Sequence, residues 1–211
     1  VTTTYNYAPA NLEKLIARVL AFLEGGAVFE QHGDVTRAEL NGETLSFRPG
    51  AAQALMRRRS PRSYWLGLTL DPQHSVWSTL FVPLKATADV PRQALEIRLS
   101  YKEYIPATGP ESQPRTETLE DITEAVDKHR AFVILGDPGA GKTTTLHKLA
   151  LDYARAALGS QDRPAPFLVR LSQQGDQSPY DFLSAQWRRF TGGDFGDALE
   201  ERRLLILADG L

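Results

Sequence analysis

Cysteine is absent from the 211-residue sequence, and methionine occurs once. Without thiols there is no disulfide, no thiolate metal centre and no cysteine nucleophile. That suits a reducing compartment, and the expected location is cytoplasmic. No run of about 18 apolar residues occurs, so no segment reads as a membrane span. An excess of one charge is missing too: 24 Lys and Arg stand against 26 Asp and Glu, a formal net charge of -2. That balance gives no global field for nucleic acid or anionic lipid, and neither is expected as a partner. The four His are widely separated, at no spacing that resembles a metal site. The chain opens on Val with no basic-then-apolar leader, and reads as the start of a cut piece.

What is present reads as a soluble globular protein with enough apolar residues for one large domain or two small ones. Residues 1–10 read as an irregular lead-in. Leu12, Leu15, Ile16, Val19, Leu20 and Leu23 recur at helical spacing, and Gly25-Gly26 stops that helix. In "TRAELNGETLSF", Asn41-Gly42 fits a two-residue hairpin turn that sets Ala38, Leu40, Leu45 and Phe47 on one face. A short helix over 51–58 follows, and Leu80–Leu84 reads as extended. Residues 1–105 are thus a small α+β region of unassigned role. "PATGPESQPRTET", residues 106–118, reads as a linker and sets the domain boundary.

Strands and helices then alternate. Thr118 is expected to cap a helix over Leu119–His129. "AFVIL" (131–135) reads as a buried strand, 143–158 as a helix ended by Gly159, and "PFLVRL" (166–171) as a second strand. Ser178-Pro179-Tyr180-Asp181 opens a helix running to about Phe190. A short helix over Ala198–Arg203 leads to the apolar strand 204–208. Such alternation predicts an α/β fold with a parallel sheet covered on both faces.

Between the first strand and its helix lies "GDPGAGKTT", residues 136–144, which matches the phosphate-binding pattern G-x-x-x-x-G-K-[ST]. Gly136, Gly139 and Gly141 permit the backbone angles and close approach that turn successive N–H groups toward phosphate oxygens. Asp137 and Pro138 stiffen the loop, and Ala140 and Thr144 complete it. The helix beginning near Lys142 aims its amides and positive dipole end at the anion. Lys142 adds a mobile charge for the β/γ-phosphates, and the Thr143 hydroxyl suits Mg²⁺. In such sites the metal also needs an Asp at the end of a neighbouring apolar strand. Asp209 after "LLILA" has that form.

"FVILGDPGAGKTTTLHKLALDYA", "PFLVRLSQ" and "RRLLILADGL" together resemble the NACHT domain of the STAND group of regulatory NTPases, over roughly residues 119–211. The resemblance implies the first part of a three-layer P-loop NTPase fold. Strands 131–135, 166–171 and 204–208 would form its parallel sheet, cut short just after Asp209. It implies ATP (GTP as the alternative) with Mg²⁺, Lys142 and Asp209 as catalytic residues, and Thr143 and Asp209 as metal-facing groups. It implies a signal-transduction switch in which nucleotide state governs self-association and effector activation. The full-length protein would hydrolyse NTP, whereas this piece stops before the acid that positions water. The alternatives are another P-loop ATPase, of AAA+ or nucleotide-kinase type, and a non-hydrolysing nucleotide-binding module. Elsewhere, "MRRRSPR" (56–62) reads as the solvated end of a helix, and Trp65, Trp77 and Trp187 as core or interface residues. His129 and His147 are weak functional candidates.

Overall fold

The computed structural model describes residues 2–5, 12–33, 35–71, 86–90, 115–119, 121–159, 163–201 and 204–210. In the N-terminal part, β1 (Thr2–Tyr5) is followed by α1 (Leu12–Glu24), β2 (Glu30–His32), β3 (Val35–Leu40) and β4 (Glu43–Phe47). Asn41 (φ 50°) and Gly42 (φ 79°) both adopt the left-handed conformation that a two-residue hairpin turn requires. Ala38 therefore faces Leu45, and both are buried with Phe47. The sheet order is β1-β4-β3-β2, with β1 parallel to β4. The segment expected as an irregular lead-in thus contains a strand. A parallel partner more than forty positions away leaves no local signal.

Helices α2 (Ala51–Met56) and α3 (Pro61–Leu70) follow. The Ser60 side chain accepts from the Ser63 N–H and Pro61 opens the helix, a cap that starts α3 sharply. Gly67 permits the close crossing of these two helices: a Cβ there would lie 2.7 Å from the Ala52 carbonyl oxygen. The expected segment Leu80–Leu84 and Trp77 lie outside the described residues.

Residues 82–136 form a unit of their own. In it, β5 (Ala86–Val90) pairs antiparallel with β6 (Arg115–Leu119). Residues 115–118, expected as linker, are therefore strand, and 106–114 lie outside the described residues. The helix expected over Leu119–His129 shrinks to a 3₁₀ turn at 122–124 and a single helical turn, α4 (Ala125–Lys128). Its start is moved by Asp121, whose carboxylate accepts from the Thr123 N–H at 2.9 Å, a local bond that competes with a longer helix. The expected strand 131–135 is not formed: among the described residues no ladder includes it, and Val133 and Leu135 are 67% and 86% exposed. An apolar run becomes a strand only where a ladder satisfies its backbone.

The second half supplies α5 (Lys142–Gly159), β7 (Ala165–Arg170), a 3₁₀ turn at 171–173, α6 (Pro179–Thr191), α7 (Phe195–Glu200) and β8 (Leu204–Asp209). Ser178 caps α6, accepting from the Asp181 N–H at 3.1 Å, and Gly192 closes it at φ 76°. Helix α7 begins before the expected Ala198 because Asp194 accepts from Gly196 N–H at 2.7 Å and Asp197 N–H at 3.2 Å. Strands β7 and β8 run parallel, with Leu168 opposite Leu207 and Arg170 opposite Asp209. The chain is thus mixed α/β with a small two-stranded parallel sheet.

Residues 1–81 and 137–211 form one compact unit, so the boundary placed at 106–118 does not separate their cores. The reason lies in α3. Leu66 and Leu70 join α1 and the hairpin, with Leu158 of α5 in the same cluster. Tyr64 and Leu68, on the opposite side of the helix, pack with Phe167, Val169, Phe182, Trp187 and Phe195. A helix apolar on both sides is buried all round.

Candidate functional site

The loop before α5 owes its shape to glycine. Gly139 (φ 81°) and Gly141 (φ 83°) hold left-handed backbone, which strains any residue bearing a Cβ. The Ala140 N–H donates to the Asp137 carbonyl at 3.1 Å, and the Thr145 N–H to Gly141 at 2.8 Å, where helical bonding begins. Residues 137–140 are exposed. The Lys142 ammonium donates to the Asp137 carbonyl at 2.8 Å and so folds back over its own loop. Thr144 is half-buried, and Gly136, which belongs to the unit of residues 82–136, is exposed.

Thr143 and Asp209, 66 positions apart, meet: the Thr143 hydroxyl donates to the Asp209 carboxylate at 2.8 Å. Asp209 reaches this place because β8 ends there, in parallel register with β7. Open α/β sheets bind ligands at the carboxyl ends of their strands. The arrangement brings a glycine loop, a helix N-terminus, a cation, a hydroxyl and a carboxylate to one edge of the sheet. Such a set can hold a phosphate chain with a hard cation.

Beside Asp209 lies a cavity of about 260 Å³. His147, Asp71, Arg170, Gln173 and Tyr64 line it along with Asp209. His147 stands one turn along α5 from Thr143 and is 9% exposed. Burial holds its imidazole below the ordinary pKa. The Asp209 carboxylate opposes this, the Arg170 guanidinium adds to it, and Asp71 opposes it. Asp71, 7% exposed at the end of α3, comes from the region that carried no expected role.

Asp71 and Arg170 escaped the sequence reading. "LDP" signals only the end of a helix, and the pairing of Arg170 with Asp209 depends on a register that neither strand reveals alone. Trp187 is buried edge-on to Phe167, with ring centroids 5.2 Å apart, as a core residue is. In the basic run, Arg57 to Arg59 are exposed around the C-terminal end of α2, and Arg62 pairs with Glu13 at 3.0 Å. Among the described residues no three His, Asp or Glu gather as a metal cluster, and no helix is long and apolar enough to cross a membrane.

The family model described as Novel STAND NTPase 3 matches residues 115–166, a span that includes the whole glycine loop, and supports a STAND-type NTPase. The ATP-dependent RNA helicase HrpA of Escherichia coli (strain K12) is 35% identical over 52 residues. That stretch is 25% of this chain and 4% of the helicase. No solved structure matches the chain. The two matches support a nucleotide-binding NTPase.

Proposed function

We propose that this chain is the nucleotide-binding part of a NACHT-type switch NTPase that takes Mg-ATP at Gly136–Thr144. One observation carries the reading: the 2.8 Å bond between the Thr143 hydroxyl and the Asp209 carboxylate, side chains from the loop helix and from a separate strand. The match at the STAND level supports it. The NACHT level rests on the loop "GDPGAGKTT" and on "ADGL".

The residues present fit the cofactor. A hydroxyl and a carboxylate are hard oxygen donors, the type Mg²⁺ prefers. Bound Mg²⁺ supplies charge neutralisation on the β- and γ-phosphates. The chain does the rest. Its loop amides would hold the phosphate oxygens, and Lys142, now on the Asp137 carbonyl, would turn to phosphate. Thr143 and Asp209 would hold the ligand shell of the cation. In the whole protein, nucleotide state would govern self-association and effector output, in the cytoplasm.

Titration of a fluorescent ATP analogue with Mg²⁺ tests the assignment. Lys142→Ala is expected to weaken binding by about tenfold or more, as loss of a charge-assisted phosphate contact does. Equal affinity in both proteins overturns the assignment.

A further inference from the structure

Arg170 ends β7 opposite Asp209 in the parallel ladder. Paired positions on neighbouring strands lie about 4.8 Å apart and present their side chains on the same face. The guanidinium and the carboxylate therefore leave the sheet side by side at its carboxyl end, and both line the same cavity, whose Asp209 bonds Thr143 of the loop helix. Arg170 is exposed, and among the described residues no ion pair engages it, with Asp209 or any other acid. Its charge still acts on the buried His147. A guanidinium set beside a carboxylate and left without an ion pair is available to another anion at the same edge.

We propose that Arg170 reads the γ-phosphate, so that this site distinguishes a nucleoside triphosphate from a diphosphate. The inference rests on the nucleotide reading above. In a loop of this pattern the backbone amides take the α- and β-phosphates, whereas the Thr hydroxyl and the strand-end Asp mark the β/γ side. Arg170 stands one strand beyond that Asp, so a terminal phosphate held on the Thr143–Asp209 side would come within reach of its guanidinium. Its planar donor fork matches two phosphate oxygens at once, which a lysine at the same place cannot do. The alternative role for Arg170 is to offset the negative charge of Asp71 and Asp209, which line the same cavity. That role would act on the site as a whole and make no distinction between nucleotides.

Calorimetric titrations of the full chain with Mg-ATP and Mg-ADP separate the two roles. Arg170→Ala is expected to weaken ATP by about tenfold and leave ADP within about twofold, and Arg170→Lys to recover only part of the loss. Equal losses for ATP and ADP, or no loss for either, overturn the proposal. Thermal melting of each variant verifies folding, and Arg170→Gln replaces the alanine variant if the latter melts early. Lys142→Ala is run alongside. If wild type and Lys142→Ala bind ATP equally, the nucleotide reading fails and takes this proposal with it. If Lys142→Ala loses both nucleotides and Arg170→Ala does not discriminate, the Arg170 proposal fails alone.

Discussion

Tyr64→Phe removes one oxygen from the junction between the N-terminal region and the parallel sheet. The Tyr64 hydroxyl accepts from the Leu168 N–H at 3.2 Å and donates toward the Leu168 carbonyl at 3.4 Å. It thereby satisfies both backbone groups of a residue in β7. The ring is 2% exposed and stays in place in the variant, so no cavity opens. What is lost is the pairing of two part-buried backbone groups at the wall of the cavity. An unsatisfied buried group costs about 1–3 kcal/mol. The carbonyl bond is long, so the N–H sets the magnitude, and about 1–2 kcal/mol is expected. In a protein of this size that lowers the melting temperature by about 2–8 °C. Urea unfolding followed by tryptophan fluorescence reads it directly, because Trp187 is buried in the same cluster. The midpoint should fall with the slope unchanged. Burial also raises the Tyr64 pKa, against a smaller lowering by the Leu168 backbone bond. The unfolded chain releases this proton first, near pH 10. Stability tied to the neutral phenol is therefore full below about pH 10 and declines as pH rises above it. The gap between wild type and Tyr64→Phe should narrow there. An unchanged midpoint at neutral pH, or a gap indifferent to pH, would refute the argument.

Two further outcomes follow from packing and charge. Gly67→Ala places a methyl group against the Ala52 carbonyl and the Met56 side chain, and should cost about 1–3 kcal/mol by chemical denaturation, a stable variant being contrary to the close crossing of α2 and α3. His147 has a lowered pKa, first through burial, so the unfolded chain takes up its proton first; stability should fall as pH drops below about 6.5, and His147→Asn should flatten that slope in urea midpoints measured from pH 7 to 5.

The parts of the fold that sequence made legible are those written in local chemistry. Asn41-Gly42 dictates its hairpin through two positive φ angles, and Ser178-Pro179 dictates the start of α6 through a cap and a fixed φ. The left-handed turns at Gly139 and Gly141 were legible in the glycines themselves, and the meeting of Thr143 with Asp209 in the pattern that joins a loop hydroxyl to a strand-end acid. Long-range pairing was not legible. Nothing in "TTTY" announces a parallel partner at 44–47, and nothing in "LVR" announces that Arg170 stands opposite Asp209. The run 131–135 misled for a related reason. Hydrophobicity reports a demand for partners and is silent on whether a ladder supplies them.

The same long-range packing alters what the N-terminal region is. Two parallel strands alone are too few for a stable sheet, and their faces must be covered. Phe167 is fully buried with Tyr64 and Leu68 of α3 in its cluster, and the Leu168 backbone is satisfied by Tyr64. Separating residues 12–71 from 137–210 would expose that aromatic cluster and leave the Leu168 backbone without its bonds to Tyr64 at once. Both losses fall on β7, the strand that carries Arg170 and sets the register of Asp209. Helix α3 then ends at Asp71, buried in the cavity that Asp209, His147 and Arg170 share. The carboxyl end of the parallel sheet is therefore shaped by residues on both sides of the glycine loop in sequence. A description of the site confined to the chain after that loop omits one of its walls.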